Sequence, residues 1–139
     1  MMQRRILLAL PAALAASALL SGCGLSGVRV EELPRRETKA GAKRIRQAIL
    51  DTAGRLGYSV EADRRGAVTV VYKKLDRDRK PMQARYRIDY GEHWYQIHFL
   101  NSRGLSEARD EGGNRTAHRK VQQWQSQFDR HLMKELGAK

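Results

Sequence analysis

Any chemistry in this chain must come from one thiol, four histidines and a surplus of positive side chains. The thiol is Cys23. A single cysteine allows no intramolecular disulfide, and the paired cysteines or Cys/His clusters of a structural zinc site are missing. His93, His98, His118 and His131 are scattered through the chain with no carboxylate or cysteine at ligand spacing, so neither a metal nor a cofactor is expected. His118 stands out because it precedes Trp124 on an apolar helical stripe. It is expected to be a buried imidazole that bonds Ser102 or a strand-end carbonyl, a structural role rather than a catalytic one. No acidic pair suggests a general acid and base, since runs such as Asp76-Arg77-Asp78-Arg79 read as a solvated, charge-mixed surface. The P-loop, G-x-G-x-x-G, H-E-x-x-H and G-x-S-x-G signatures are all lacking, and no catalytic residue is assigned.

What the composition offers is attraction for anions. The 139 residues carry 27 Lys and Arg against 15 Asp and Glu, a net charge of +12. Arg36, Lys39, Lys43 and Arg46 recur at helical spacing. Arg85 and Arg87 alternate with Tyr86, Ile88 and Tyr90, and His98 alternates with Ile97 and Phe99. Arg85, Arg87, His98, Lys39, Lys43 and Arg46 are therefore the candidate surface for an anionic partner.

The elements that would carry these residues can be read from periodicity. Ile45, Ala48, Ile49, Thr52 and Leu56 predict a helix over 38–56 that stops at Gly57. Tyr58–Ala62 and the β-branched run Ala67–Tyr72 predict a hairpin turning at Arg64-Arg65-Gly66. Arg85–Tyr90 alternates cleanly, turns at Gly91-Glu92 and continues through Tyr95, Ile97 and Phe99, with Trp94, Gln96 and His98 facing the other way. His118, Val121, Trp124, Phe128, Leu132 and Leu136 form the stripe of a closing helix over 116–136, with Trp124 and Phe128 as core anchors. The order α-β-β-β-β-α implies an α+β domain in which a four-stranded antiparallel sheet carries both helices on one face and leaves the other open.

The first two dozen residues read as an address. Arg4 and Arg5 precede the apolar run Ile6–Leu20, too short for the ~20 residues of a spanning helix, and the run closes on Leu20-Ser21-Gly22-Cys23. That ending resembles the lipobox of bacterial lipoproteins. The resemblance implies cleavage before Cys23 and acylation of it, so that residues 1–22 are a signal peptide, 23–37 an anchor and flexible spacer, and 38–139 one α+β domain. Each buried CH₂ contributes ~0.8 kcal/mol, and several acyl chains on one residue hold a protein stably in a lipid bilayer. Loss of Arg4 and Arg5 leaves 25 basic and 15 acidic residues, so the +10 of the mature chain belongs to its folded part. Gly24, where some lipoproteins carry an inner-membrane retention aspartate, favours the periplasmic face of the outer membrane.

The run Gly57-Tyr58, Gly66-Ala67-Val68, Arg85–Tyr90, Tyr95–Phe99, Ser102 with Leu105, His118-Arg119 and Trp124 with Phe128 is similar to a family of small Gram-negative lipoproteins. Members of that family have a helix ending in Gly-Trp, I-x-Y and Y-x-I-x-Y hairpins followed by S-x-x-L, and a closing I-H-x-x-Y-x-x-W helix. This chain has Tyr58, Ala117 and Val121 where tryptophan, isoleucine and tyrosine are common. The resemblance implies fold and location and supplies no mechanism. The expected function is a non-enzymatic envelope lipoprotein, a binding or structural module docking an anionic envelope component or another envelope protein. The alternatives are an enzyme on cell-wall or lipid substrates, for which no constellation is found, and a nucleic-acid-binding sheet, which export disfavours.

Overall fold

The computed structural model describes residues 27–139, so Cys23 and the leader lie outside the described residues. The chain forms β1 (Val28–Arg29), β2 (Arg36–Glu37), α1 (Ala42–Leu56), β3 (Ser59–Arg64), β4 (Ala67–Leu75), β5 (Pro81–Gly91), β6 (Trp94–Arg103), β7 (Ala108–Arg109), β8 (Arg115–Ala117) and α2 (Arg119–Leu136). All strand pairs are antiparallel. The four strands expected from alternation, β3 to β6, are present. The sheet is nevertheless five-stranded, in the order β2-β6-β5-β4-β3, and a second small sheet is ordered β1-β8-β7. The four-stranded expectation is corrected because residues 28–37, read from the sequence as spacer, supply β1 and β2.

Alternation builds the core. Val68 and Val70 of β4, Met82, Ala84, Tyr86, Ile88 and Tyr90 of β5, and Tyr95 and Ile97 of β6 share one buried face with Ile45 and Ile49 of α1 and Val121, Phe128 and Leu132 of α2. Both helices therefore cover the same side of the sheet. Tyr58 meets Phe128 edge-on at 5.1 Å, and the buried Tyr86 hydroxyl donates to the Val121 carbonyl at 2.8 Å, satisfying its polar tip. Trp124 is only half-buried and packs on Tyr72 at 4.7 Å.

Both helices start later than their apolar stripes suggest. Thr38 receives a different assignment: its N–H donates to the His93 carbonyl, and its hydroxyl donates to the Leu136 carbonyl and accepts from the Ala40 N–H. Residues 115–117 are committed to pairing with β1 and β7, so α2 begins at Arg119. His118 is consequently not the buried imidazole expected. It is exposed at the N-cap of α2, where its ring Nδ1 accepts the Lys120 N–H at 3.1 Å. α1 does end at Gly57, whose φ of +83° suits a left-handed C-cap.

The segment 28–38 is a strap lying between α2 and the β6 edge. Glu31 is held on both sides, its N–H donating to Gln122 Oε1 at 2.8 Å and its carbonyl accepting from Gln125 Nε2 at 2.7 Å. Gln96 Nε2 donates to the Leu33 carbonyl at 2.9 Å, and Glu37 exchanges two backbone hydrogen bonds with Lys139. Between these, the Arg36 guanidinium donates from Nη2 at 2.7 Å and from Nε at 3.1 Å to Asp129, which is 3% exposed on α2.

Packing yields an unequal pair of expectations. Phe128→Ala removes a fully buried ring and should cost ~3–5 kcal/mol in chemical unfolding. Trp124→Ala should cost less, because that ring is only partly buried. Equal losses, or wild-type melting of the Phe128 variant, would contradict this packing.

Candidate functional site on the open sheet face

The face turned away from the helices presents Arg85, Arg87 and Asp89 from β5 with Gln96 and His98 from β6. Register sets Arg87 opposite His98 and Asp89 opposite Gln96, which leaves Asp89 diagonal to the imidazole. Asp89 serves both neighbours: Arg87 Nε donates to Oδ1 at 2.8 Å, and His98 Nε2 lies 3.3 Å from Oδ2. Arg85 reaches across β4 to Glu61, its Nε donating to Oε2 at 3.1 Å. Glu61 is the extra residue of a bulge in β3, between Val60 and Ala62. A bulge re-aims a side chain, and here it accompanies a carboxylate that meets Arg85 from across β4.

The other candidate cations divide in the same way. Arg46 on α1 makes a two-toothed pair with Asp63, Nε donating to Oδ1 at 3.1 Å. That partner holds the Arg46 guanidinium above its ordinary range and the Asp63 carboxyl below its own. Lys39 and Lys43 are exposed and form no ion pair among the described residues. Arg36, counted in the same helical stripe from the sequence, points instead to Asp129.

Ser102 does not meet His118. Its N–H and hydroxyl both bond Glu107 Oε1, at 2.7 and 3.0 Å. Glu107 in turn receives Arg115 Nη2 at 3.1 Å. Arg115 is the organising side chain that sequence reasoning missed. Its guanidinium stacks 4.4 Å from the Phe99 ring centre and donates to the carbonyls of Phe99 and Leu100 at 3.0 and 2.7 Å. A register shift in β6 leaves Leu100 unmatched between Phe99 and Asn101. The pattern was not legible as a spacing, because bulges break the alternation that makes strands readable. Beside it a cleft of about 310 Å³ opens between Val30–Glu32 of the strap and Arg87, His98, Phe99 and Arg115.

These charges are matched within the fold. An anion approaching Arg85 or Arg87 must compete with Glu61 or Asp89, and the strap sets Glu31 and Glu32 on the cleft holding Arg87 and Arg115. The arrangement can hold polar groups by exchanging ion-pair partners. It is not a bare positive platform. The sequence matches no protein-family model, and no curated protein matches it.

Two outcomes follow from this pairing. Arg85→Glu with Arg87→Glu sets new carboxylates beside Glu61 and Asp89, so melting should fall, and exchanging Arg85 and Glu61 for each other should recover part of the loss. An unchanged melting temperature in the double reversal would show that the pairs contribute nothing to stability. For Glu107, burial pushes the carboxyl up, but the bonds from Arg115 and Ser102 together outweigh it and hold the group below its ordinary value. A lowered folded-state value contributes stability that is complete above the unfolded ~4.3 and is lost as pH falls through the folded value. Glu107→Gln should therefore be less stable at neutral pH and lose stability less steeply in acid, as read by urea unfolding across that range.

Proposed function

We propose that this chain is an envelope lipoprotein, anchored through acylated Cys23 at the periplasmic face of the outer membrane, whose domain is a non-enzymatic binding or structural module. The observation that carries the reading is Leu20-Ser21-Gly22-Cys23 at the end of a short apolar run behind two arginines. The geometry supports it from the other side. The first strand begins five residues after Cys23 and is paired to β8 in the folded domain, so little chain separates the proposed anchor from the structure it would hold.

Three of the four histidines, which would be the natural centres of an enzyme, have local structural partners. His93 Nδ1 sits 3.1 Å from the Ala40 carbonyl, His98 adjoins Asp89, and His118 caps α2. These contacts favour a module that binds or braces over one that turns over substrate. The partner classes remain those that fit a basic domain at an anionic surface: phosphorylated or carboxylated envelope components, or another envelope protein.

In a Gram-negative host fed a labelled fatty acid, the wild-type chain should carry label and sediment with membranes. Cys23→Ser should carry none and accumulate uncleaved or released. Label retained by the serine variant, or a wild-type chain that never acquires any, would overturn the reading.

A further inference from the structure

The open-face arginines are already engaged, so the positive charge available to a partner must lie elsewhere, and the sheet has two ends to compare. At one end sit the β4–β5 connection, the loop after β6, and β1. Leu75 pairs with Pro81, a side chain at Gly104 would strike the Pro81 carbonyl, and the His118 N–H donates to the Leu105 carbonyl at 2.7 Å. Val28 lies opposite Ala117, the residue before His118. The strap then carries the chain away from this end to Thr38, whose N–H reaches His93 at the other.

This end has a distinct surface chemistry. Two of the three exposed large apolar residues among the described residues are here: Leu75, 57% exposed, and Val28, 45% exposed. Around them stand Arg29, Lys73, Lys74, Arg77, Lys80 and Arg103, all exposed and forming no ion pair among the described residues. Several acids of the same region are occupied internally. Asp76 Oδ1 accepts the N–H groups of Asp78 and Lys80, Asp110 Oδ1 those of Gly112 and Asn114, and Glu107 holds Arg115. Asp78 and Glu111 are exposed and take no such role; with Asp76 and Asp110, which keep their charge, these acids are still fewer than the cations around them.

We propose that this end of the domain, with Leu75 and Val28 among unpaired lysines and arginines, docks on the anionic phospholipid headgroups of the bilayer that holds Cys23. The inference rests on the lipoprotein reading above and adds to it an orientation. Chain reach supports it: five residues span about 18 Å at most, at ~3.3–3.6 Å each, so an acylated Cys23 confines Val28 to the neighbourhood of the headgroups. Charge complementarity supports it as well, because juxtamembrane lysines and arginines are attracted to anionic lipid within a Debye length of ~8 Å. An exposed apolar tip flanked by cations matches an interface whose outer layer is charged and whose next layer is apolar.

The test uses the full chain, processed by its host and reconstituted into phosphatidylethanolamine/phosphatidylglycerol vesicles. Acylation of Cys23 would leave an introduced thiol as the sole one free. A bimane on Leu75→Cys should be quenched by headgroup spin-labelled lipid several-fold more than one on Arg65→Cys, in the turn at the far end. High salt, or Lys73→Glu with Lys74→Glu, should bring quenching at 75 down to the level at 65 while the acyl label, sedimentation and melting temperature stay unchanged. Equal quenching at both positions in chains that carry the label overturns the docking and leaves the anchor standing. Position 75 shielded in native envelope but freely quenched by aqueous reagents in pure lipid assigns this face to a protein partner, and overturns it too. A chain without label overturns the lipoprotein reading by a separate measurement and takes the docking argument with it.

Discussion

A carboxylate on the inward side of α2 is the constraint around which the N-terminal part of the fold is arranged. Asp129 is almost fully buried, and a buried charge without a partner is among the most destabilising features a small domain can contain. Its partner Arg36 comes from outside the helix–sheet core, on the strap, and donates two short hydrogen bonds to it. For that contact to form, the strap must run between α2 and β6, and in that position Arg36–Glu37 becomes a fifth strand on an edge that would otherwise be bare. A well-packed apolar pair would serve stability as well as the ion pair does, since desolvation offsets much of the Coulomb attraction. What the ion pair adds is register. An extended segment with few apolar side chains slides easily, and a guanidinium donating through Nε and Nη2 to one buried carboxylate oxygen fixes which residue lies where. The Gln125 and Gln122 contacts to Glu31 then set the register one turn further along α2.

This arrangement also explains which parts of the structure were legible in the sequence. Strand β5 could be read residue by residue, because Tyr86, Ile88 and Tyr90 face an apolar layer while Arg85, Arg87 and Asp89 face outward, and period-two alternation records that. The apolar stripes of α1 and α2 were equally plain, and Gly57 marked the end of the first. The strap was not legible. Its stabilisation comes from side chains 63 to 94 residues away in sequence, which no local pattern in Glu31–Glu37 reveals. His118 was misplaced for a related reason: it falls on the α2 stripe by spacing, but the preceding residues are drawn into a strand and the helix starts one residue beyond it. Polar residues on a buried stripe are the hardest case. Gln125 and Asp129 look like interruptions of an apolar face until the strap is laid against them.

Net charge gave the right sign and a misleading location. The alternation put Arg85 and Arg87 correctly on the outer face, and from that a basic platform followed naturally. Their partners came from a bulge in β3, which only cross-strand geometry brings within reach, and from the same strand two residues on. No local pattern signals that Arg85 reaches across β4 to Glu61. Surface pairs of this kind contribute only ~0–1 kcal/mol each to stability, yet they strongly reshape the field by cancelling charge where it is densest in sequence. What remains uncancelled is a set of lysines and arginines at strand ends and in the adjoining connections, where acids such as Asp76 and Asp110 accept backbone N–H groups. The three backbone and side-chain bonds that Asn114 and Gly112 make to Asp110 hold its carboxyl below the ordinary range, led by the Asn114 N–H. Such an acid keeps its charge but is turned inward toward its own turn.

A weak surface can matter when it is tethered. In the proposed arrangement the anchor and the first strand are separated by a handful of residues, so the domain explores only a thin layer above the bilayer, and its effective concentration there is far above any bulk value. Contacts that would be negligible for a free protein then suffice to choose an orientation. The choice also decides what is left exposed. With the β4–β5 tip and β1 turned toward lipid, the ion-paired sheet face stands roughly along the membrane normal and the opposite end, with Arg65 and the start of α1, is held outward. Lys39 and Lys43 belong to that outward end, so the two sets of unpaired cations would face different partners: one the bilayer, the other whatever lies across the periplasm.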